Sequence, residues 1–384
     1  MTEKSTAASG DVGELIDAVH RWYGEERHIA PFLRKLRKRS PKVVPTYLSC
    51  LELQGETLDS LTRAEVDVVR QRADHYAVIW EQLRQRWPDI IAVKGPTASA
   101  AYPAGVQRYS ADLDVVVSDQ LTVTDVARYF LDAGWQRESL MLWRSDGCEQ
   151  MRVIVEKPFV EPMQQPLRVE ITTLEWIGAS SATKPQTRLD VKSDIVRTQL
   201  AIIAERYERA FDFRDALDFL LLDRQLSDAG RAEREAMIAD LGVEPLAEEL
   251  IRLVSQIDKS YADASARRQL AGFGTRLSAK LSFWRKGLRN PRARLALASQ
   301  FALIENQSSQ AWNRVLQAMV RGISGADALD KGLLVWGIPV VLTADKQDVD
   351  SPHIRHSPLG AWFLTASSVI EAKTLEEVGV ESLG

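Results

Sequence analysis

From Val12 to about Trp87 the apolar side chains return every three or four positions, as Leu15, Val19 and Trp22 and then as Val66, Val69, Tyr76, Ile79, Trp80 and Leu83. That period puts them on one face of a helix, so the spacing predicts a helical amino-terminal region over 1–87. The pattern changes at Pro88. DIIAVKG reads as a short strand and PTASAAYP as a small-residue helix. LDVVVSD, LMLWRS, MRVIVEK and LRVEITTLEW then follow, short, rich in Val and Ile and separated by polar turns, which is the pattern of strands. One helix is predicted among them, Asp125 to Ala133, with Thr124 as its N-cap and Gly134 as its stop. Residues 88–177 therefore read as an α/β or α+β core on a small sheet.

The helical period returns from Lys192, in Ile195, Leu200, Ile202 and Ile203 and then in Phe211, Leu217, Phe219, Leu220 and Leu221. It predicts a mainly helical domain over 190–325, broken at SDAG, GVEP and RNP. LLVWGIPVVLTA, from Leu333, reads as strand and opens a short C-terminal extension over 333–384, which closes on Glu371, Glu376, Glu377 and Glu381. No internal repeat is visible.

Length agrees with several parts, since 384 residues exceed the usual single domain. With 45% hydrophobic and 27% charged residues the chain is neither of disordered nor of membrane composition. The longest weakly polar stretch, Gly332 to Ala344, is interrupted by Gly337 and Pro339 and is shorter than the roughly 20 apolar residues of a membrane span. The amino terminus lacks a secretory pattern, so a cytoplasmic location without a membrane partner is expected. Cys50 and Cys148 stand far apart and outside any C-x-x-C spacing, which predicts two small buried hydrophobes rather than a disulfide or a zinc site.

Forty-nine basic and 53 acidic residues give a net charge of -4, against the profile of a protein that coats nucleic acid by global charge. The distribution is uneven. Residues 264–304 contain no acid, while Arg267, Arg268, Arg276, Lys280, Arg285, Lys286, Arg289, Arg292 and Arg294 fall there. A second basic run, Arg34, Lys35, Arg37, Lys38, Arg39 and Lys42, reads as a solvated helix face.

The segment that carries chemistry is KGPTASAAYPAGVQRYSADLDVVV, Lys94 to Val117, with LRVEITTLEW about fifty residues later. Side chains alternate along a strand, so Asp112 and Asp114 share one face while Leu113 and Val115 take the other. Two carboxylates held side by side repel unless a cation neutralises them, and an all-oxygen pair suits Mg²⁺ or Mn²⁺. If LRVEI lies beside that strand, Glu170 supplies a third carboxylate; Glu156 and Glu175 compete for that place. Three carboxylates can hold two ions about 3.5–4 Å apart, an arrangement suited to phosphoryl or nucleotidyl transfer. Arg108, four residues before Asp112, is placed to neutralise a triphosphate.

These residues resemble the DNA polymerase β type nucleotidyltransferase superfamily, and within it a group of uncharacterised bacterial nucleotidyltransferase-family proteins. The shared pattern is a strand ending in Lys-Gly, a small-residue helix, Arg-x-x-x-Asp-x-Asp before an apolar strand, and a later acid within a strand. Here it reads Lys94-Gly95, Arg108, Asp112, Asp114 and Glu170. The resemblance covers roughly positions 85–130. A fainter likeness lies in QLAIIAERYERAFDFRDALDFLLL, where Arg214, Asp215 and Asp218 match an Arg-Asp-x-x-Asp run found in the superfamily, abortive-infection toxins included.

The resemblance implies a nucleotidyltransferase core set between helical regions. It implies metal ligation and catalysis by Asp112, Asp114 and Glu170, with Lys94, Gly95, Arg108, Arg214 and Asp215 contacting a nucleoside triphosphate. The product would be a transferred nucleoside monophosphate, AMP among the candidates, on a small molecule, protein or RNA. Two departures keep alternatives open. Gly95-Pro96 stands where Gly-Ser is common, which shifts phosphate contact to the Gly95 backbone and the amino end of the next helix. Gln199 stands where the toxins carry lysine, with Arg197 or Lys192 as nearby substitutes. A catalytically inactive nucleotide-binding regulator, or a toxin acting on tRNA through the basic 264–304 segment, are the alternatives.

His353 and His356, beside Pro352 and Pro358, read as loop residues rather than metal ligands. Trp80, Trp135, Trp143, Trp176, Trp284 and Trp312 read as core before base-stacking platforms. No P-loop, zincin, α/β-hydrolase or dinucleotide-binding motif is present.

Overall fold

A computed structural model of the chain describes residues 3–383, apart from 27, 146–147, 160–164, 176–187, 208, 262–294, 297–298, 301–309, 344–350, 368–369 and 371. The bases between Arg267 and Arg294, the RNP break, Glu371, Trp176, Trp284 and the side chain of Trp312 lie outside the described residues.

The predicted strands form. They are β1 (Ile91–Val93), β2 (Leu113–Val116), β3 (Gln136–Ser145), β4 (Cys148–Lys157) and β5 (Leu167–Thr172). The small sheet expected of them is larger, because β6 (Val335–Leu342) pairs antiparallel with β3 and brings in β7 (Ile354–Ser357), β8 (Gly360–Thr365) and β9 (Val380–Leu383). The order is β1-β2-β5-β4-β3-β6-β8-β7, with β9 on β6. Among the described residues only β2 and β5 run parallel, so the sheet is mixed, in an α+β chain.

The helices α1 (Glu3–Tyr23), α2 (Ile29–Arg39), α3 (Val44–Leu53) and α4 (Ser60–Arg86) make up the amino-terminal region. Asp59 caps α4 by accepting from the backbone N–H of Leu61 and Thr62. The short α5 (Gly95–Ala100) follows β1, and α6 (Gln120–Asp132) follows β2. Helix α6 starts five residues before the predicted Asp125: Asp119, not Thr124, is the N-cap and accepts from Thr122 N at 2.8 Å. The Thr124 hydroxyl instead donates to Gln120 O inside the helix. Gly134, at φ 80°, ends it as predicted.

Beyond the sheet come α7 (Asp194–Ala204), α8 (Phe213–Asp223), α9 (Asp228–Leu241) and α10 (Glu244–Ile257), then α11 (Gln310–Val320), α12 (Gly325–Asp330) and α13 (Ala372–Glu377). Among the described residues no helix is long and apolar enough to cross a membrane.

Packing divides the chain differently from its linear order. One core joins α1–α3 to α7–α10 through residues such as Phe32, Tyr47, Leu200 and Phe213. The other joins the sheet to the second half of α4, to α6 and to the C-terminal elements, through Leu83, Val115, Ile171, Phe130 and Trp362. Tyr102 and Val106 belong to the first core and Leu113 to the second, so the loop carrying Arg108 and Asp112 spans their junction.

Three smaller expectations resolve here. Cys50 is buried, but Cys148, at the first position of β4, is exposed. His353 sits in a turn and stacks on Phe363, whereas His356 lies in β7 rather than a loop. Trp80 and Trp135 pack in the sheet core and Trp143 is buried.

The C-terminal strands are fitted closely to α12. A Cβ on Gly325 would collide with the Leu364 side chain and stand 2.6 Å from its carbonyl oxygen. Gly325→Ala is expected to lower stability by about 1–3 kcal/mol through overpacking, read as an earlier denaturant midpoint with an unchanged slope.

Candidate active site

Strands β2 and β5 build the site. Their parallel register sets Leu113 beside Val169 and Val115 beside Ile171, all four buried, and Asp114 directly beside Glu170 on the other face. Val93 on β1 is the antiparallel partner of Asp114. Asp112 lies one residue ahead of β2, exposed at the rim. The sequence-predicted carboxylates are thus gathered at one edge of the two-core junction.

Their charges are felt most at Asp114. Desolvation, then the Asp112 and Glu170 carboxylates, push its pKa well above the ordinary carboxylate range, with Lys94 opposing and Glu205 adding to the rise. Glu170 is partly relieved already: Arg152 Nη1, from β4, donates to its Oε1 at 3.0 Å. Among the described residues no group of three or more Asp, Glu, His or Cys side chains is arranged to hold a metal ion. The expected three-carboxylate cluster is therefore not formed among the described residues: Asp114 and Glu170 are register partners, and Glu170 is ion-paired with Arg152. The all-oxygen donors and the raised Asp114 pKa fit a hard divalent ion at Asp112 and Asp114.

Glu175 is engaged elsewhere, and Glu156 lies across from Arg168 on β5. Glu175 accepts from Leu189 N at 2.8 Å and pairs with Arg197, itself held to Val191 O. Burial and the nearby Glu138 raise the pKa of Glu156, opposed by Arg168.

The Lys94-Gly95 turn links β1 to α5. Lys94 has φ 65° and ψ −79°, the only positive φ outside glycine among the described residues. That conformation is strained, of order 1–3 kcal/mol, and such strain concentrates at functional sites. Its ammonium is ion-paired with Glu205, whose carboxylate also meets Arg209 Nε at 3.3 Å. Burial raises the Glu205 pKa, but Lys94 and Arg209 outweigh it and leave it below its ordinary value. A six-residue α5 with Pro96 in its first turn gives little dipole for the phosphate contact expected at its amino end.

Arg108 differs from expectation. Only 6% exposed, it donates from Nε to Asp218 Oδ1 at 3.0 Å and Oδ2 at 3.1 Å and from Nη2 to Oδ2 at 2.8 Å, while Nη1 donates to Ser110 Oγ at 2.9 Å. These donors are committed inside the fold, because a buried guanidinium must be met by acceptors and here Asp218 supplies them. The Tyr102 hydroxyl donates to the same Asp218 at 2.6 Å. Arg108 and Asp218 thereby fasten the loop before Asp112 to α8.

Asp215 is likewise structural. It closes a capping box with Asp212 at the start of α8 and accepts from Arg209 Nη1 at 2.6 Å and Nη2 at 2.8 Å. Arg214 donates from Nη1 to Tyr109 O at 3.2 Å, and its buried Nε has no hydrogen-bond partner. Gln199 is buried between Phe219 O and Arg234, bridging helices.

One basic residue of the site escaped the sequence reading. Lys42, at the end of the amino-terminal basic run, neighbours Arg214, Asp112, Arg209 and Asp212. Desolvation, then Arg214, lower its ammonium pKa, while Asp112 opposes. Itself exposed, it stands in the turn after α2, at the end of a run that reads as a solvated helix face.

Comparison of the chain with family models, with curated proteins and with solved structures finds no match.

Proposed function

We propose that the protein is a metal-dependent nucleotidyltransferase, moving a nucleoside monophosphate from a nucleoside triphosphate to an acceptor with release of pyrophosphate. The observation that carries the reading is Asp114 paired in register with Glu170, crowded by Asp112 and raised in pKa, next to the strained Lys94 turn. A divalent cation at Asp112 and Asp114 would relieve that crowding.

In this reading Asp112 and Asp114 hold Mg²⁺ or Mn²⁺, which supplies charge neutralisation at the reacting phosphates. Lys94, Arg214 and Lys42 form the basic side of the site and orient phosphate oxygens left unneutralised. Glu170, fixed by Arg152, keeps negative charge behind Asp114 and so favours a cation over water there. Catalysis is then mainly positioning and electrostatics.

Titration calorimetry with Mn²⁺ and each nucleoside triphosphate tests the binding half of the reading. Binding by the wild type is expected to fall at least about tenfold in folded Asp112→Asn. Equal affinity in the two proteins would remove the acidic pair from the site.

A further inference from the structure

The two strands that carry the carboxylates are held together at their starts by one helix that belongs to neither. On α4, Arg72 is 3% exposed, and its guanidinium donates to carbonyls on both sides. Nη1 reaches Ala111 O at 3.5 Å and Pro166 O at 2.9 Å, and Nη2 reaches Pro166 O at 2.9 Å and Gln165 O. One turn further along the same face, the Tyr76 hydroxyl donates to Ala111 O at 2.7 Å and accepts from Arg168 N at 3.1 Å. Ala111 directly precedes Asp112; Gln165, Pro166 and Arg168 lead into Glu170. The Arg72 guanidinium also lies over the Phe159 ring, 5.1 Å from its centroid.

From these contacts the geometry points to Arg72 and Tyr76 as positioning residues that set the spacing of Asp112 and Asp114 against the strand of Glu170, with α4 as an integral wall of the candidate active site. The inference rests on the metal-binding reading above. A parallel strand pair has no hairpin to fix its stagger, and Arg72 and Tyr76 tie the two approaches together beside the buried faces of the ladder. The β2–β5 ladder begins at Leu113 and Val169, immediately after the clasped residues. Burial raises the Tyr76 hydroxyl pKa and the Asp112 carboxylate adds to the rise, in keeping with their nearness. A guanidinium satisfied by three carbonyls brings its charge up to the acidic rim without consuming a carboxylate.

The test measures the affinity of Mn²⁺ alone by electron paramagnetic resonance, beside thermal melting, for wild type, Tyr76→Phe, Arg72→Met and the control Tyr129→Phe, whose hydroxyl meets only exposed Gln82. Tyr76→Phe keeps the ring and loses two hydrogen bonds, so it is expected to fold and to bind Mn²⁺ about tenfold more weakly, with Tyr129→Phe unchanged. Arg72→Met is expected to weaken binding further if it folds. Mn²⁺ affinity equal to wild type in Tyr76→Phe, whatever its melting temperature, would overturn the positioning role. Absence of Mn²⁺ binding by the wild type would instead overturn the metal-binding reading on which it rests.

Discussion

Replacing Asp114 by Asn is expected to reduce nucleotidyl transfer about a thousandfold or more while making the ion-free protein more stable at neutral pH. The first effect follows from removing a ligand of the ion that neutralises the phosphates. The second follows from Asp114 itself, whose ionised form is disfavoured by desolvation and by Asp112 and Glu170. Its native pKa is raised, so its contribution to stability is fully present below the unfolded carboxyl value, about 3.9, and is lost as pH climbs through the native value. Asparagine has no such loss. Melting of wild type and Asp114→Asn in a chelator should diverge as pH rises above the ordinary carboxylate range, and Mn²⁺ should close the gap by stabilising the wild type alone. A structural Asp114 would give the reverse, a variant less stable than wild type at pH 7.

The second large effect concerns Asp218. It accepts three guanidinium contacts from Arg108 and one from Tyr102, with only 2% of its surface exposed. Asp218→Ala strands a buried cation and a phenol, and is expected to cost about 3–5 kcal/mol by chemical denaturation. The double variant Arg108→Met with Asp218→Leu should recover much of that, since no buried charge is left unpaired. The Asp218 pKa is lowered, by Arg108 above all against the opposing desolvation. Its stabilising contribution is therefore present above the unfolded carboxyl pKa and lost as pH falls through the depressed native one. Acid unfolding of the wild type should show that loss, and the apolar double variant should not. Additive costs in the double variant would contradict the paired-charge account.

The acidic pair and its partner strand were legible because alternation is a local property: Asp112-x-Asp114 and Val169-Glu170-Ile171 each declare their faces within three residues. The β2–β5 pairing then brought Glu170 beside Asp114. What sequence could not rank was competition among charges. Arg108 reads as a free phosphate ligand until Asp218, 110 positions away, is seen to occupy it. Arg152 claims Glu170 in the same way, and Arg209 claims Asp215. Arg72 gave a usable signal, since it falls in register with Val66, Val69 and Tyr76 on a face otherwise apolar. A charged residue inside a buried helical stripe requires a partner, and that partner proved to be the backbone ahead of Asp112. The wider sheet was hidden because β3 and β6 are nearly two hundred positions apart, although each strand was visible by itself.

The central claim is transfer of the α-phosphoryl group with its nucleoside. Its most direct measurement incubates the protein and Mg²⁺ with each nucleoside triphosphate labelled at the α-phosphate, against small molecules, protein and total RNA, and follows label and pyrophosphate together. The account predicts label on one acceptor class with matching pyrophosphate, both absent in folded Asp112→Asn. Nucleotide binding without pyrophosphate release across all acceptors would contradict it.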